Sequence, residues 1–301
     1  MNGARREVLK RIGGVSALCF AGFSGVDAKG VMTRTIASTG EHLPAIGLGT
    51  WQVFDVGNDA TARGPLREVL KLLDGNVVDS SPMYGTSESV AGELIAELGL
   101  RPKLFVATKV YTSGRAEGIR QMETSFRRLR VERMDLMQIH NLVDVETHTK
   151  TLLEMKRKKK IRFTGITHYS ASAYPEVERR LNTKQYDFLQ INYSLGEREA
   201  EKRLLKIASE LKTKVIINRP FATGALFRKV KGRPLPPWAA ELGIASWAQY
   251  FLKWIVSHPA VTCAIPGTSR PEHMKDNLAA GQGVVPDENQ RRKMAAYFDS
   301  L

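Results

Sequence analysis

Four ionisable side chains stand at the ends of three consecutive strand-like stretches. Asp79 comes directly after one apolar run, and Tyr84 follows it across a Ser-Ser-Pro turn. Lys109 and His140 come at the ends of the next two apolar runs. Because the carboxyl ends of parallel strands meet at one rim of an α/β sheet or barrel, we expect these four groups to converge there.

Together these groups suit a site that donates a proton to a carbonyl oxygen. A tyrosine phenol ordinarily has a pKa of about 10, and a nearby ammonium favours the phenolate, so we expect Lys109 to lower the pKa of Tyr84. Asp79 would hold Lys109, and His140 would donate a hydrogen bond to the substrate oxygen. One His, one Asp and no usable Cys predict no metal site. Taken singly, each residue also has a structural explanation, as a cap, a loop aromatic, a surface cation or a core imidazole.

The elements that must position these groups alternate between strand-like and helix-like segments. A small hairpin is predicted over 33–43, with Thr39-Gly40 as its turn. The predicted strands that follow are 43–51, 77–78, 104–108, 134–139, 162–167, 188–193, 215–218 and 261–267. The predicted helices are 64–73, 87–98, 119–129, 145–160, 173–181, 200–211, 246–256 and one from about 271. Eight strands with helices between them indicate an α/β chain folded as a closed (β/α)8 TIM barrel with a short N-terminal β-hairpin. The alternative, an open doubly wound sheet, would usually carry a G-x-G-x-x-G turn after its first strand, and this chain has none.

Composition is that of an ordinary globular protein. The chain has 301 residues, of which 43% are hydrophobic and 25% charged, with a formal net charge of +14. No apolar run near 20 residues is present, so we expect no membrane span. Basic residues are scattered, and the densest run, 156–160, ends an amphipathic helix, where cations suit the helix dipole. We therefore expect a basic surface and no nucleic-acid partner, with salt-dependent DNA binding as the test of the alternative. A monomer is expected.

The first 28 residues are not predicted to be part of the barrel. Arg5 and Arg6 precede a modestly apolar run over 12–23, and small residues follow at 26–28. This pattern resembles a twin-arginine export signal, with an amphipathic N-terminal helix as the alternative. We expect a leader over 1–28, a single barrel domain over 29–301, and a periplasmic protein that is cytoplasmic if the leader is not used. Cys19 falls in the leader, which leaves Cys263 without an intrachain disulfide partner.

Several motifs in one order resemble the aldo-keto reductase family over nearly all of the chain after the leader. They are Leu-Pro-Ala-Ile-Gly-Leu-Gly-Thr-Trp (43–51), Asp-Ser-Ser-Pro-Met-Tyr-Gly (79–85), Thr-Lys-Val (108–110), Gln-Ile-His-Asn (138–141) and Ile-Pro-Gly-Thr-Ser (265–269). The resemblance implies a (β/α)8 barrel that reduces aldehydes or ketones with NAD(P)H. It also implies a catalytic tetrad of Asp79, Tyr84, Lys109 and His140, with Tyr84 as the acid.

At the nicotinamide end of the cofactor, some positions match the cofactor-binding residues of the family and others depart from them. Thr167 and His168 stand where the family usually has Ser-Asn holding the carboxamide, so the His departs from that pattern. Gln190 matches the family's carboxamide-binding Gln. Tyr193 and Phe221 are the two candidates for the aromatic that stacks on the nicotinamide, and core packing is the alternative for either.

At the phosphate end, backbone N–H groups at the start of the last predicted helix suit an anion. The cofactor contacts that we predict there are Gly267, Thr268, Ser269, Arg270, His273 and Asn277. Gly267 and Thr268 replace a Lys-Ser pair of many family members, and His273 replaces an Arg, so Arg270 is the candidate partner for a 2′-phosphate. Arg219 would meet the cofactor pyrophosphate or an acidic substrate. These contacts favour NADPH, with NADH as the alternative.

The substrate is expected to be a small carbonyl compound bound at the rim. Trp51, Tyr111, Asn141 and Leu142 are the residues that we predict to face it. The altered pair at 167–168 and the unusual Arg219 leave a second functional class open, a nucleotide-binding regulatory subunit of the same fold with little turnover.

Overall fold

The computed structural model describes residues 30–301, so the predicted export signal at 1–28 lies outside the described residues. Strands and helices alternate through most of this part of the chain. The strands are β1 (Thr33–Ile36), β2 (Glu41–Pro44), β3 (Leu48–Gly49), β4 (Val77–Asp79), β5 (Phe105–Val110), β6 (Met134–His140), β7 (Ile161–Thr167), β8 (Phe188–Asn192), β9 (Lys214–Asn218) and β10 (Val261–Ala264). The α-helices are α1 (Ala60–Lys71), α2 (Ser87–Glu97), α3 (Arg115–Arg128), α4 (Val145–Arg157), α5 (Tyr174–Leu181), α6 (Leu204–Glu210), α7 (Ala225–Lys229), α8 (Trp247–Val256), α9 (Pro271–Ala279) and α10 (Glu288–Ser300).

Strands β3 to β10 form one parallel sheet in which spatial order follows chain order. The two edges of this sheet meet, because the Gly47 N–H donates to the Ala264 carbonyl (2.8 Å) and the Ala264 N–H donates to the Ala45 carbonyl (2.9 Å). A Cβ on Gly47 would lie 2.7 Å from the Val77 carbonyl oxygen, so only glycine lets the chain pass this close. The predicted (β/α)8 barrel is confirmed.

The predicted N-terminal hairpin is also confirmed, and it covers one end of the barrel. Strands β1 and β2 pair antiparallel from Thr33 opposite Pro44 to Ile36 opposite Glu41. A buried apolar cluster joins the hairpin to the amino-terminal halves of the barrel strands. Its largest members are three phenylalanines with ring centroids 5.4 to 5.9 Å apart, Phe105, Phe163 and Phe188. This end of the barrel is therefore filled with side chains and hydrophobic.

Element boundaries differ from the sequence predictions where local chemistry decides them. The strand predicted over 43–51 is reduced to β3, because Leu43 and Pro44 pair within the hairpin instead. Helix α1 begins earlier than predicted because the Asp59 carboxylate accepts the N–H groups of residues 61 and 62 and caps it.

Helix α10 was not predicted from the sequence, and a buried arginine fixes it to the barrel. A capping box between Asp287 and Gln290 begins the helix. The Arg291 guanidinium, 4% exposed, donates to Ser257 Oγ (3.2 Å) and Glu201 Oε1 (2.8 Å), and it lies over the Trp254 ring at 4.6 Å. One cation thus ties the last helix to α8 and to the segment before α6.

Two structural features are absent from residues 30–301. None of the helices in this range has the length and apolar character needed to cross a membrane. No cluster of three or more His, Cys, Asp or Glu side chains in this range is placed to hold a metal ion. Cys263 is a buried free thiol.

Candidate active site

A buried ion pair lies at the carboxyl ends of two neighbouring strands. Asp79 is the last residue of β4, and Lys109 lies one residue before the end of β5. The Lys109 ammonium donates to Asp79 Oδ2 at 2.6 Å and to the Ser80 carbonyl at 2.7 Å. The two side chains are 0% and 3% exposed, so water screens this pair very little.

Two glutamines hold the other oxygen of the same carboxylate. Gln138 Nε2 and Gln190 Nε2 donate to Asp79 Oδ1 at 3.0 and 2.9 Å. Both glutamines are buried within the barrel, on β6 and β8. The sequence did not predict these contacts, because the partners are 59 and 111 positions away from Asp79. The carboxylate is thus fixed by one cation and two amides.

Tyr84 lies beside this pair, but its acidity differs from the prediction. The Lys109 ammonium is 4.9 Å from the centroid of the Tyr84 ring. Burial raises the pKa of Tyr84, Lys109 opposes that rise, and Asp79 adds to it, so the net pKa lies above the ordinary 10.0. The predicted lowering is therefore wrong: desolvation outweighs the ammonium. Tyr84 keeps its proton at neutral pH and has one to give.

Lys109 stays charged beside the phenol. Burial by itself lowers the pKa of the Lys109 ammonium, but the charge of Asp79 and the interactions with Tyr84 outweigh it and leave the pKa above 10.5. The cation therefore persists at neutral pH and lies where negative charge would develop on the phenol oxygen.

His140 completes the cluster as a neutral imidazole. It is 7% exposed at the end of β6, and burial, helped by the Lys109 charge and by His168, lowers its pKa to about 3. Its Nδ1 lies 2.9 Å from Ser81 Oγ, a contact that the sequence did not predict. The rings of Tyr84 and Tyr111 meet the imidazole edge-on, with centroids 5.9 and 5.3 Å away. The structure thus brings all four predicted side chains to one rim.

The residues predicted to grip the carboxamide lie on the neighbouring strand ends. The Thr167 hydroxyl donates to Gln190 Oε1 at 3.1 Å, so both ends of the Gln190 amide have protein partners. His168 is partly exposed, and its ring stacks on that of Tyr169 at 5.3 Å and 8°. Its Nδ1 accepts the Ser170 N–H at 3.1 Å, which orients the ring.

Of the two candidate stacking aromatics, Tyr193 is excluded. It is fully buried, its ring packs on Trp254 at 5.0 Å, and its hydroxyl donates to Glu201 and accepts from Arg291 at 2.9 Å. The predicted cofactor role of Tyr193 is therefore wrong, because these partners hold it in the core. Phe221 is only partly buried, after β9, and packs on Phe227 at 4.8 Å.

The predicted phosphate residues lie around the start of α9. The Arg270 N–H bonds to Thr268 Oγ1 at 3.1 Å, and no side chain caps the helix. Gly267, Arg270 and His273 are exposed, Ser269 is partly exposed and Asn277 is buried.

Arg219 lies after β9 and is already paired. It donates to the Tyr169 carbonyl (3.2 Å) and forms an ion pair with Glu197 (3.3 Å). It also lines a cavity of about 760 Å³ beside Arg228 and Asp299, whereas none of the four rim side chains described above lines it. We place the chemistry at the rim, because the convergent polar groups are there.

The predicted substrate residues lie on loops at the same rim. Trp51 is 48% exposed, and Tyr111 is partly exposed against His140. Asn141 and Leu142 follow β6 with φ of 52° and 59°, a left-handed conformation that is uncommon outside glycine. Backbone strain of this kind clusters at functional sites. Met83 and Tyr169 also have exposed apolar side chains. Neither was predicted from the sequence, because the exposure of a side chain cannot be read from residue type.

The donor set suits a dinucleotide with anionic phosphates. The uncapped N–H groups of α9 are a general binding site for phosphate oxygens, and the exposed Arg270 adds a cation there. At the carboxyl end of β9, Asn218 Oδ1 and Arg219 Nε of the next residue are buried without a hydrogen-bond partner among residues 30–301. Unpaired buried polar atoms are costly, and ligand groups can satisfy them.

The sequence and the structure are both similar to those of known aldo/keto reductases. The family model described as "Aldo/keto reductase family" matches residues 45–295. Methylglyoxal reductase YeaE of Escherichia coli (strain K12) is 30% identical over 250 residues, which cover 79% of this chain and 85% of that protein. A crystal structure of aldo/keto reductase from Klebsiella pneumoniae in complex with NADP and acetate is 27% identical, has a TM-score of 0.72, and matches 86% of this chain and 93% of that one. A second structure of an aldo-keto reductase from Klebsiella pneumoniae, in complex with NADPH, has a TM-score of 0.70 at 27% identity and covers 86% and 92%.

Proposed function

Because this chain belongs to the aldo/keto reductase family, we propose that it reduces aldehyde or ketone carbonyls with NADPH and that Tyr84 is the proton donor. The observation that carries this proposal is the convergence of a protonated phenol, a buried ammonium and a neutral imidazole at one rim. NADPH is favoured over NADH by two similar structures, which contain NADP and NADPH.

Reduction of a carbonyl requires a hydride at carbon and a proton at oxygen. When bound, the reduced nicotinamide supplies the hydride. Tyr84 donates its phenolic proton to the oxygen, and Lys109, held by Asp79 at 2.6 Å, stabilises the phenolate that remains. His140, neutral and close to Tyr84, donates a hydrogen bond to the same oxygen. Thr167, His168 and Gln190 lie at the strand ends where the carboxamide would be held.

The test is carbonyl-dependent oxidation of NADPH by the purified protein. Methylglyoxal is the first substrate to try, because a relative with 30% identity is named for its reduction. We expect Tyr84→Phe to abolish turnover while NADPH binding, followed by fluorescence, is retained. Tyr297→Phe is the matched control, since it removes a phenol oxygen in α10, within an aromatic cluster with Trp247. Unchanged turnover in Tyr84→Phe would refute the assignment.

A second candidate function is a nucleotide-binding regulatory subunit with little turnover. The replacement of the usual Asn by His168, whose ring is stacked on Tyr169, is the observation that favours it. The same assay separates the two functions. Tight NADPH binding without oxidation over a broad panel of aldehydes and ketones would favour the regulatory function.

We also propose export through the twin-arginine route, which would place the protein in the periplasm. The support is the Arg5-Arg6 pair followed by an apolar run and small residues at 26–28. Replacing both arginines by lysine should retain the protein in the cytoplasm, as judged by cell fractionation and immunoblotting. Equal periplasmic recovery of the two forms would contradict export by this route.

A further inference from the structure

Ser81 is a buried hydroxyl beside the imidazole of the candidate site. It lies two residues after the end of β4, is 0% exposed, and has its Oγ 2.9 Å from His140 Nδ1. The same oxygen accepts the Met83 N–H at 3.3 Å. Within residues 30–301 this oxygen has no hydrogen-bond partner other than these two groups.

The donors and acceptors around Ser81 fix the direction of the Ser81–His140 hydrogen bond. A hydroxyl has one proton to donate and two lone pairs to accept with. If Nδ1 carried the imidazole proton, Ser81 Oγ would accept from both Nδ1 and Met83, and its own buried proton would have no acceptor. If Ser81 instead donates to Nδ1, the Ser81 hydroxyl proton, His140 Nδ1 and the Met83 N–H all have hydrogen-bond partners. No buried polar group is then left unsatisfied.

The direction matters because His140 is neutral. A neutral imidazole has one N–H, and the group that bonds one ring nitrogen decides the state of the other. With Nδ1 accepting from Ser81, the proton belongs to Nε2. Nε2 has no hydrogen-bond partner in the described part of the chain, which leaves it as the donor for a ligand.

We infer that Ser81 is a positioning residue that holds His140 in the Nε2–H tautomer, so that the imidazole donates to the substrate oxygen. In the opposite tautomer, the Nε2 lone pair would face that oxygen, and the hydrogen bond would be lost. The kinetic part of this inference rests on the proposed function, whereas the tautomer itself does not.

The direct measurement is the nitrogen NMR spectrum of the imidazoles in protein labelled with 15N-histidine. The chain has six histidines, so His140→Gln assigns the His140 signals. We expect a protonated Nε2 and an unprotonated, hydrogen-bonded Nδ1 in the wild type, and a mixture of tautomers in Ser81→Ala. A wild-type His140 with its proton on Nδ1, or a Ser81→Ala spectrum without change, would overturn the inference.

Kinetics supply the second measurement. We expect Ser81→Ala to lower kcat/KM for carbonyl reduction about tenfold, the effect of one net hydrogen bond, with NADPH binding unchanged. Ser81→Thr keeps the hydroxyl and should restore the wild-type tautomer. Ser125→Ala is the matched control, because Ser125 is equally buried in α3 and its hydroxyl has no partner among residues 30–301. If the wild type shows no carbonyl-dependent turnover, the proposed function fails, while the NMR result still decides the role of Ser81.

Discussion

Replacement of Asp79 by asparagine tests whether the buried ion pair governs the stability of the barrel. The Asp79 carboxylate accepts from Lys109 through one oxygen and from Gln138 and Gln190 through the other. An asparagine has one acceptor oxygen, so its NH₂ group must face either the ammonium or the two glutamine amides. Either orientation leaves donors unpaired, and Lys109 remains charged and 0% exposed without its counterion.

Breaking a buried ion pair by removing one partner costs about 3–5 kcal/mol. With an unfolding entropy of about 2.1 cal/mol/K per residue over residues 30–301, this loss corresponds to a fall in Tm of roughly 5 to 9 °C. We would measure the free energy of unfolding in urea, with a circular dichroism spectrum to confirm that the variant folds. Asp79→Asn combined with Lys109→Met should be less destabilised than the sum of the single variants by about 1 kcal/mol or more, because the two residues interact directly.

Glu154→Gln provides the matched control. Its carboxylate also pairs with a lysine at 2.7 Å, but the Lys158 side chain is 66% exposed, so the loss should stay below about 1 kcal/mol. If Asp79→Asn costs no more than Glu154→Gln, or if the double variant is additive, the ion pair does not have the energetic role that we assign to it.

Two further predictions concern stability. Burial lowers the pKa of His140 and of His258 to about 3, so below pH 6.5 the unfolded chain binds protons that the folded chain does not. The free energy of unfolding should therefore fall as the pH drops below 6.5, by about 1.4 kcal/mol per pH unit for each histidine. Urea unfolding at several pH values gives this dependence, and His258→Gln should make the free energy of unfolding change less steeply with pH. An unchanged dependence on pH would contradict the prediction. In α2, a Cβ on Gly92 would lie 2.1 Å from the Arg128 carbonyl oxygen, so Gly92→Ala should lower Tm. Gly64→Ala, with nothing within 4 Å, should instead stabilise α1 by about 0.5–1 kcal/mol; equal effects of the two changes would refute the packing argument.

The sequence predicted the barrel and the convergence of four side chains, because both follow from local patterns. Alternating apolar runs predict the strands, and the strand ends place Asp79, Lys109 and His140 on one rim. Contacts between distant segments were missed for the opposite reason. No spacing rule indicates that Ser81 meets an imidazole 59 positions away or that two glutamines hold one carboxylate.

Two wrong predictions have a common physical origin in burial. The Tyr84 phenol was expected to be acidified by an ammonium, but desolvation is the larger effect, and its size depends on packing that the sequence does not display. Tyr193 was a candidate for stacking on the nicotinamide because the family resemblance places such an aromatic near the end of the sixth or seventh barrel strand. Its burial depends on Trp254 and on Arg291, which belongs to the helix that the sequence did not predict.

The hairpin has a consequence for how ligands move. It packs over the amino-terminal end of the barrel, while Asp79, Lys109 and His140 lie at the carboxyl-terminal end. A substrate and the alcohol derived from it would therefore enter and leave through the same open end of the barrel. A bulky inhibitor bound at that end would block both binding and release. The chain enters the described fold next to the sealed end, since Gly30 lies three residues before β1. Attachment of the protein to a surface through its amino-terminal end would therefore leave the open, carboxyl-terminal end of the barrel facing the solution.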